Sequence, residues 1–392
     1  MSSEYSLLET RVVEIGGNSS EPQSSISSRK KSVAAQKVLN AVALFSGGGG
    51  LDLGFSAAGF NIRVSSDIDS FSCKTLEINS GKRPFYKHAK AIQADINKIS
   101  AKDLFENDSI YRKDIDLLIG GPPCQAFSVF GQRKGLEDPR GNLVWEYLRI
   151  LQEIQPTAFV FENVAGLKSI HNGELYDEIL KSLALDGLYT VSAHNYQLAD
   201  FGIPQFRDRI FFIGTKNGTL VPPMEPTHGE QCLSASNPYR TADEALRFLP
   251  APGESSHVPN HIGRKHSQRI IDRYQSLKFG ERDPKTRINK LHPERPSFTI
   301  IVGSDKGGGK GHVHPFTPRE VTPRESARMQ TFPDWWQFHG TGRHVIRQVG
   351  NAVPPLFAAQ LAEHIKVHVF GSKRKKNYEE LIEILELEYL QK

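Results

Sequence analysis

Five short, almost unbroken apolar runs constrain this chain more than any other feature: AVALF (41–45), FNIRVSSD (60–67), IDLLIGG (115–121), TAFVFEN (157–163) and RIFFIGT (209–215). Runs of this length, apolar at nearly every position, are what strands covered on both faces require. Between them apolar residues recur at helical spacing, most clearly in LVWEYLRILQEI (143–154), where Leu143, Tyr147 and Leu151 stand four apart. Strand and helix in alternation predict an α/β fold with an open parallel sheet. After Thr215 the alternation gives way for about a hundred residues to Pro, Gly, Ser and His, which predicts a smaller, loop-rich second domain. Helical patterning returns in TPRESARMQ (322–330) and PPLFAAQLAEHIKVHVF (354–370), whose prolines suit a helix start, and in the charged amphipathic KRKKNYEELIEILELEYLQK (373–392).

With 392 residues, the chain is long enough for two domains. It has no apolar run near the length of a membrane span. Cys73, Cys124 and Cys232 are far apart and stand in no CxxC arrangement, which points to a reducing compartment. The polar, Ser-rich first 38 residues lack the build of a secretory signal and read as a flexible extension. Net charge is only +5, but residues 215–316 hold 15 Lys and Arg against 10 Asp and Glu, and seven of the 14 histidines. This part of the chain therefore carries the whole excess. A basic stretch of this kind suits nucleic acid, or simply a solvated surface.

Four places could carry chemistry. The first is Phe45-Ser46-Gly47-Gly48-Gly49-Gly50, where a strand runs into four glycines and then a helix, with Asp67 closing the next strand. Glycines let the backbone turn and approach a ligand at the point where open α/β sheets bind nucleotides, and an acid about 20 residues on can bond ribose hydroxyls. GxGxxG is absent, which weakens a nicotinamide reading. The second is GGPPCQAFS (120–128), which presents Cys124 in a stiff loop at the strand end and makes it a nucleophile candidate. Glu162 in FENV, at the end of another strand, shares that rim. In the fourth, PQFRDR (204–209), Gln205, Arg207 and Arg209 of an extended run project to one face.

FSGGGGLDLGF, GGPPCQAFS, FENV, QFRDR, PRESARMQTFPD and QVGNAVPP occur in the order and at the spacing found in the DNA cytosine-5 methyltransferases, and from about residue 41 to 370 the chain resembles that family, in particular its bacterial restriction–modification type. The resemblance implies a Rossmann-like methyltransferase sheet with a smaller loop-rich target-recognition domain. It divides the chain into an extension (1–38), a catalytic domain (39–215), a target domain (216–316), a return to the catalytic domain (317–370) and a C-terminal helix (371–392). It implies S-adenosyl-L-methionine as cofactor, with S-adenosyl-L-homocysteine as product, and no metal. The expected substrate is a specific short sequence of double-stranded DNA, whose cytosine is flipped out and attacked by Cys124.

Carried over residue by residue, Cys124 matches the family's nucleophile and Glu162 the carboxyl group facing the cytosine edge; Arg207 and Arg209 match the basic pair of the active site, with Gln205 beside them. Phe45, Gly47, Gly49, Gly50, Asp67, Ile68 and Pro122 match cofactor contacts, Asp95 and Ile96 the adenine-holding segment, and Asn351 and Val353 the last motif of the cofactor site. Gln125, Ser128 and Arg140 fall on a loop expected to close over DNA. The basic stretch 264–295, with Arg264, Lys265, Arg269 and Arg287, and the glycine run carrying Lys306 and Lys310, are expected to meet the duplex. A monomer acting in a prokaryotic cytoplasm, at the nucleoid and beside a cognate restriction endonuclease, completes the expectation. An RNA cytosine methylase, a catalytically silent DNA-binding regulator and a nicotinamide oxidoreductase are the alternatives.

Overall fold

The five apolar runs become strands of one seven-stranded sheet. In the computed structural model, which describes residues 37–391 except 88–89, 106–111, 124–142, 231–236, 254–256, 301 and 303–310, these are β1 (Leu39–Leu44), β2 (Phe60–Asp67), β4 (Leu117–Gly120), β5 (Ala158–Val164) and β7 (Asp208–Thr215). Two further strands, β3 (Lys90–Gln93) and β6 (Thr190–Gln197), complete the order 3-2-1-4-5-7-6. Both lie at the edges, where one side goes unpaired and the sequence has no need of a continuous apolar run; TVSAHNYQ in β6 is correspondingly mixed.

The expectation of a parallel sheet fails at one edge. β1 pairs in parallel with β2 and β4, β2 with β3, and β4 with β5, but β7 runs antiparallel to both β5 and β6. The connection between β6 and β7, residues 198–207, is a single 3-10 turn and an extended stretch. It is too short for the crossover that a parallel pair needs.

Helices cover both faces. In chain order they are α1 (Gly50–Ala58), α2 (Ser70–Asn79), α3 (Ala101–Phe105), α4 (Leu143–Ile154), α5 (Glu174–Leu183), α6 (Ala242–Leu246), α7 (Gln268–Ser276), α8 (Pro323–Met329), α9 (Gly342–Asn351), α10 (Pro355–His368) and α11 (Tyr378–Leu385). One apolar cluster joins a face of the sheet to α1, α8, α9, α10 and α11; another joins the opposite face to α3, α4 and α5. As the prolines suggested, α8 and α10 both begin on one, and Thr322 caps α8 in a reciprocal capping box with Glu325. The C-terminal α11 is more than an appendage, because Leu381, Ile382 and Leu385 join the first cluster and Glu386 pairs with Arg83. Within 216–316 a small separate cluster gathers Tyr274, Leu277, Ile288 and Val313. Residues 38–392 as a whole form one compact unit.

α1 packs closely on α10. A Cβ on Gly54 would stand 2.4 Å from the Pro355 carbonyl oxygen and 2.5 Å from the Ala358 Cβ. Neither neighbour is a flexible side-chain end, so Gly54→Ala should force the helices apart and cost about 1–3 kcal/mol. Urea unfolding measures this directly, and an unchanged midpoint would mean that the two helices separate freely.

Candidate active site

The glycine loop is shaped by backbone conformation. After β1 the chain turns through Phe45 at φ 55°, Gly47 at φ 52° and Gly49 at φ 82°. Left-handed backbone suits the glycines but is uncommon for phenylalanine, a form of strain that marks functional loops. Because β1 and β2 are neighbours, the loop meets Asp67 at the end of β2. One Asp67 carboxylate oxygen accepts from the Gly47 N–H at 2.8 Å and the other from the Asp69 N–H at 2.8 Å. Burial nevertheless pushes the Asp67 carboxyl above its usual range. Asp52, one turn into α1, lies wholly inside and accepts from the Ser46 and Ser65 hydroxyls. Burial lifts it to about 6.

Across the β1–β4–β5 rim stands Glu162. The register of β4 on β5 sets Gly120 beside Phe161, so Gly121 faces Glu162, and a Cβ on Gly121 would lie 2.5 Å from Oε2 of that acid. Glycine here leaves room for the carboxylate where the GGPP segment passes it, and a side chain would displace Oε2. Arg209 Nε meets Glu162 Oε1 at 2.9 Å. Burial raises the Glu162 pKa, while the charges of Arg209 and then Arg207 act against the rise. Arg207 is fully buried. Its Nη2 donates to the carbonyls of Gly350 (3.0 Å) and Ala352 (2.9 Å), which fastens the chain just ahead of α10, and burial holds its pKa well below the usual arginine value.

These parts enclose a cavity of about 740 Å³. Of the cofactor residues expected from sequence, Phe45, Gly47, Gly50, Asp67, Ile68, Asp95, Ile96, Pro122, Asn351 and Val353 line it, together with Glu162 and Arg209. Gly49 does not; its α-carbon faces Trp336 and Leu76, so this glycine serves packing. Arg207 lies behind the wall. Gln205 does not line the cavity either: it is buried, bridged to Ser297, and neither amide atom has a hydrogen-bond partner among the described residues. Of the run 205–209, Asp208 and Arg209 belong to β7 and the residues before them to the connection.

Cys124, Gln125, Ser128, Arg140, Lys306 and Lys310 lie outside the described residues, although Pro123, the residue before Cys124, lines the cavity. Arg264 is paired with Glu320, while Lys265, Arg269 and Arg287 are exposed. Asp69 and Arg347 are among the lining residues that the sequence reading did not single out. Asp69 caps α2, and Arg347 donates to it at 2.9 Å from α9. A signal existed for Arg347, which stands one helical turn before Asn351 and so on its face.

The cavity thus has two ends. One offers backbone N–H groups and carboxylates, suited to a nucleoside; the other offers a buried carboxyl between cations, suited to holding or moving a proton. The profile of the family described as C-5 cytosine-specific DNA methylase matches residues 39–367. The chain is 34% identical to the Type II methyltransferase M.NgoFVII of Neisseria gonorrhoeae, over 92% of this chain and 95% of that protein. It is 35% identical to the Type II methyltransferase M1.HphI of Haemophilus parahaemolyticus, over 83% and 86%. Among solved structures, a prophage-encoded DNA modification methyltransferase from E. coli matches 85% of this chain and all of its own, with a TM-score of 0.66 and 28% identity.

Asp52 makes stability depend on pH. Its folded pKa of about 6 exceeds the ordinary 3.8, so the stability it contributes is complete below about pH 4 and is lost as pH rises through 6, by on the order of 3 kcal/mol. Asp52→Asn should flatten that part of the unfolding free energy between pH 4 and 7. Parallel pH profiles for the variant and the unsubstituted protein would show Asp52 to be charged throughout.

Proposed function

The chain belongs to the C-5 cytosine-specific DNA methylases, and from that premise we propose that it methylates C5 of a cytosine flipped out of double-stranded DNA at one short sequence, with S-adenosylmethionine as donor and Cys124 as nucleophile. The observation that carries this reading is that one cavity holds the Asp67 glycine loop at one end and Glu162 with Arg209 at the other. Residues 39–215 and 317–370 form the catalytic part in this reading, and 216–316 reads the target. The Type II names of the relatives support a modification enzyme paired in function with a restriction endonuclease. The enzyme works as a monomer on nucleoid DNA in the cytoplasm.

The donor set suits the cofactor. A carboxylate has about four acceptor positions; Asp67 uses two on backbone N–H groups and keeps the others for ribose hydroxyls. Asp95 and Ile96 hold the adenine, and Asn351 and Val353 close the cavity from α9 and beyond. S-adenosylmethionine supplies an electrophilic methyl group on a sulfonium sulfur.

C5 of cytosine is a poor nucleophile until electrons are pushed into the ring. The Cys124 thiolate adds to C6 while Glu162 protonates N3, which leaves C5 as an enamine carbon able to take the methyl group. A base then removes the C5 proton, the C6–S bond breaks to restore the thiolate, and the N3 proton returns to Glu162. An unperturbed thiol of pKa about 8.5 is only a few per cent ionised at pH 7, and Arg207 and Arg209 contribute the positive field that favours the thiolate. Glu162 is suited to the proton role because burial keeps its carboxyl protonated above the usual range. Flipping the base costs about a few kcal/mol, offset by contacts in the cavity.

Two measurements test the reading. With 5-fluorocytosine at the target, methyl transfer proceeds but elimination cannot, so the protein should stay attached to DNA through denaturing electrophoresis, and Cys124→Ala should not. An adduct mapping to Cys73 or Cys232, or an active Cys124→Ala enzyme, would overturn Cys124 as nucleophile. Asp67→Ala should weaken S-adenosylmethionine binding in calorimetry by about tenfold or more, the worth of a hydrogen bond to a charged group, while DNA affinity holds. Equal loss of both would make Asp67 a purely structural residue.

A further inference from the structure

Within the stretch read above as target-binding, residues 280–291 fold back on themselves as a short ribbon-like hairpin closed by one antiparallel bridge. Gly280 N–H donates to the Lys290 carbonyl, Lys290 N–H to Glu281 and Asp283 N–H to Ile288, each at 2.8 Å, and Arg282 is bridged to Asn289. It is anchored at both ends: at the base the Leu291 N–H reaches the Val313 carbonyl at 3.0 Å, and directly after the tip Ile288 belongs to the cluster with Tyr274, Leu277 and Val313.

The tip, residues 284–287, is stapled from inside. The fully buried Asp283 carboxylate accepts from the Thr286 N–H and hydroxyl and from Arg273 Nε, each at 2.5 Å, and its carbonyl accepts the Arg287 N–H at 2.8 Å. The acid is thus spent on the interior, and the outside of the tip is positive. Arg282, Lys285 and Arg287 are exposed, and none has an ion pair among the described residues. Arg282 Nε donates to the Arg287 carbonyl at 2.9 Å. Arg287 itself is held at φ 61°, a conformation that L side chains rarely adopt and that persists only where surrounding bonds over-determine it.

We propose that this ribbon enters the DNA major groove, where Arg287 reads a guanine and Lys285 and Arg282 rest on flanking phosphates; the proposal rests on the DNA-methylating reading above. The major groove admits a two-stranded ribbon. The planar guanidinium fork matches O6 and N7 of guanine, whereas the Lys285 ammonium is a point charge that suits phosphate and carries no sequence information. A tip already fixed by Asp283 loses little freedom on binding.

The test uses the full-length enzyme, S-adenosylmethionine and a pool of random-sequence DNA duplexes in which 5-methylcytosine is mapped. Glycine accepts φ 61°, so Arg287→Gly keeps the tip while removing the fork. It should still methylate, but lose its preference for G·C at one position of the motif by about tenfold or more. Arg287→Lys keeps the charge and donors for guanine but not the planar fork, and should weaken the preference less than Arg287→Gly does. Lys285→Ala should keep the motif, bind all sequences more weakly, and reduce the slope of log K against log salt by about 0.9. A motif unchanged in Arg287→Gly, or a mere uniform weakening of methylation in it, overturns the role of the ribbon alone. An unsubstituted enzyme that methylates no cytosine in any duplex overturns the activity and the ribbon together.

Discussion

Gly50 and Gly54 let α1 lie against the segment 352–359 so closely that a Cβ at Gly50 would fall 2.0 Å from the Val353 carbonyl oxygen. This approach of backbone to backbone brings the end of the catalytic fold onto its beginning. It carries Asn351 and Val353 to the glycine loop and places Arg347 beside Asp69. From the other side the buried Arg207 holds the Gly350 and Ala352 carbonyls, so the same short segment is clamped between α1 and the strand that bears Arg209. Leu356, Phe357 and Leu361 on α10 are wholly buried, at about 1.5–3 kcal/mol each for a fully buried apolar side chain. The cavity wall is thus held by packing remote from any ligand.

Inside that frame the charged groups stand where burial opposes their charge. Asp52, Asp67 and Glu162 are all raised by burial, yet each has named donors: two serine hydroxyls, two backbone N–H groups, and Arg209. A buried carboxyl with specific donors keeps one orientation, and removing a donor leaves it with the full desolvation cost. The two ends of the cavity use this differently. Asp67 has both oxygens engaged by backbone and so shapes the loop, whereas Glu162 sits between two cations with Gly121 leaving space at its Oε2, as a group that exchanges a proton requires.

Much of this was legible from residue order. β2 spans the run read as 60–67 and α4 the run read as 143–154, because a continuous apolar run and an i,i+4 stripe are local signals. β6 escaped because an edge strand does not need such a run. The antiparallel direction of β7 escaped because strand direction depends on the connection and not on the strand. Most residues matched to the cofactor site do line one cavity, yet Gly49 of the glycine loop and Gln205 of the QFRDR run are not among the lining residues. Membership in a motif does not specify the direction of each side chain.

By itself the sequence determined the alternation of strand and helix, the glycine turn after β1, the acid at the end of β2, and the family to which the motifs belong. These are properties of spacing and residue type within a few turns of chain. The tertiary structure alone decided that β7 reverses, that Arg207 acts as a clamp behind the cavity while Arg209 meets Glu162, that Arg347 joins Asp69, and that Asp283 is spent on the interior so the ribbon tip is left positive. Each of the site contacts among these depends on burial or on a partner far along the chain, in the case of Arg347 and Asp69 a separation of 278 residues, and local residue order carries no record of which distant groups the packing of the core brings within reach.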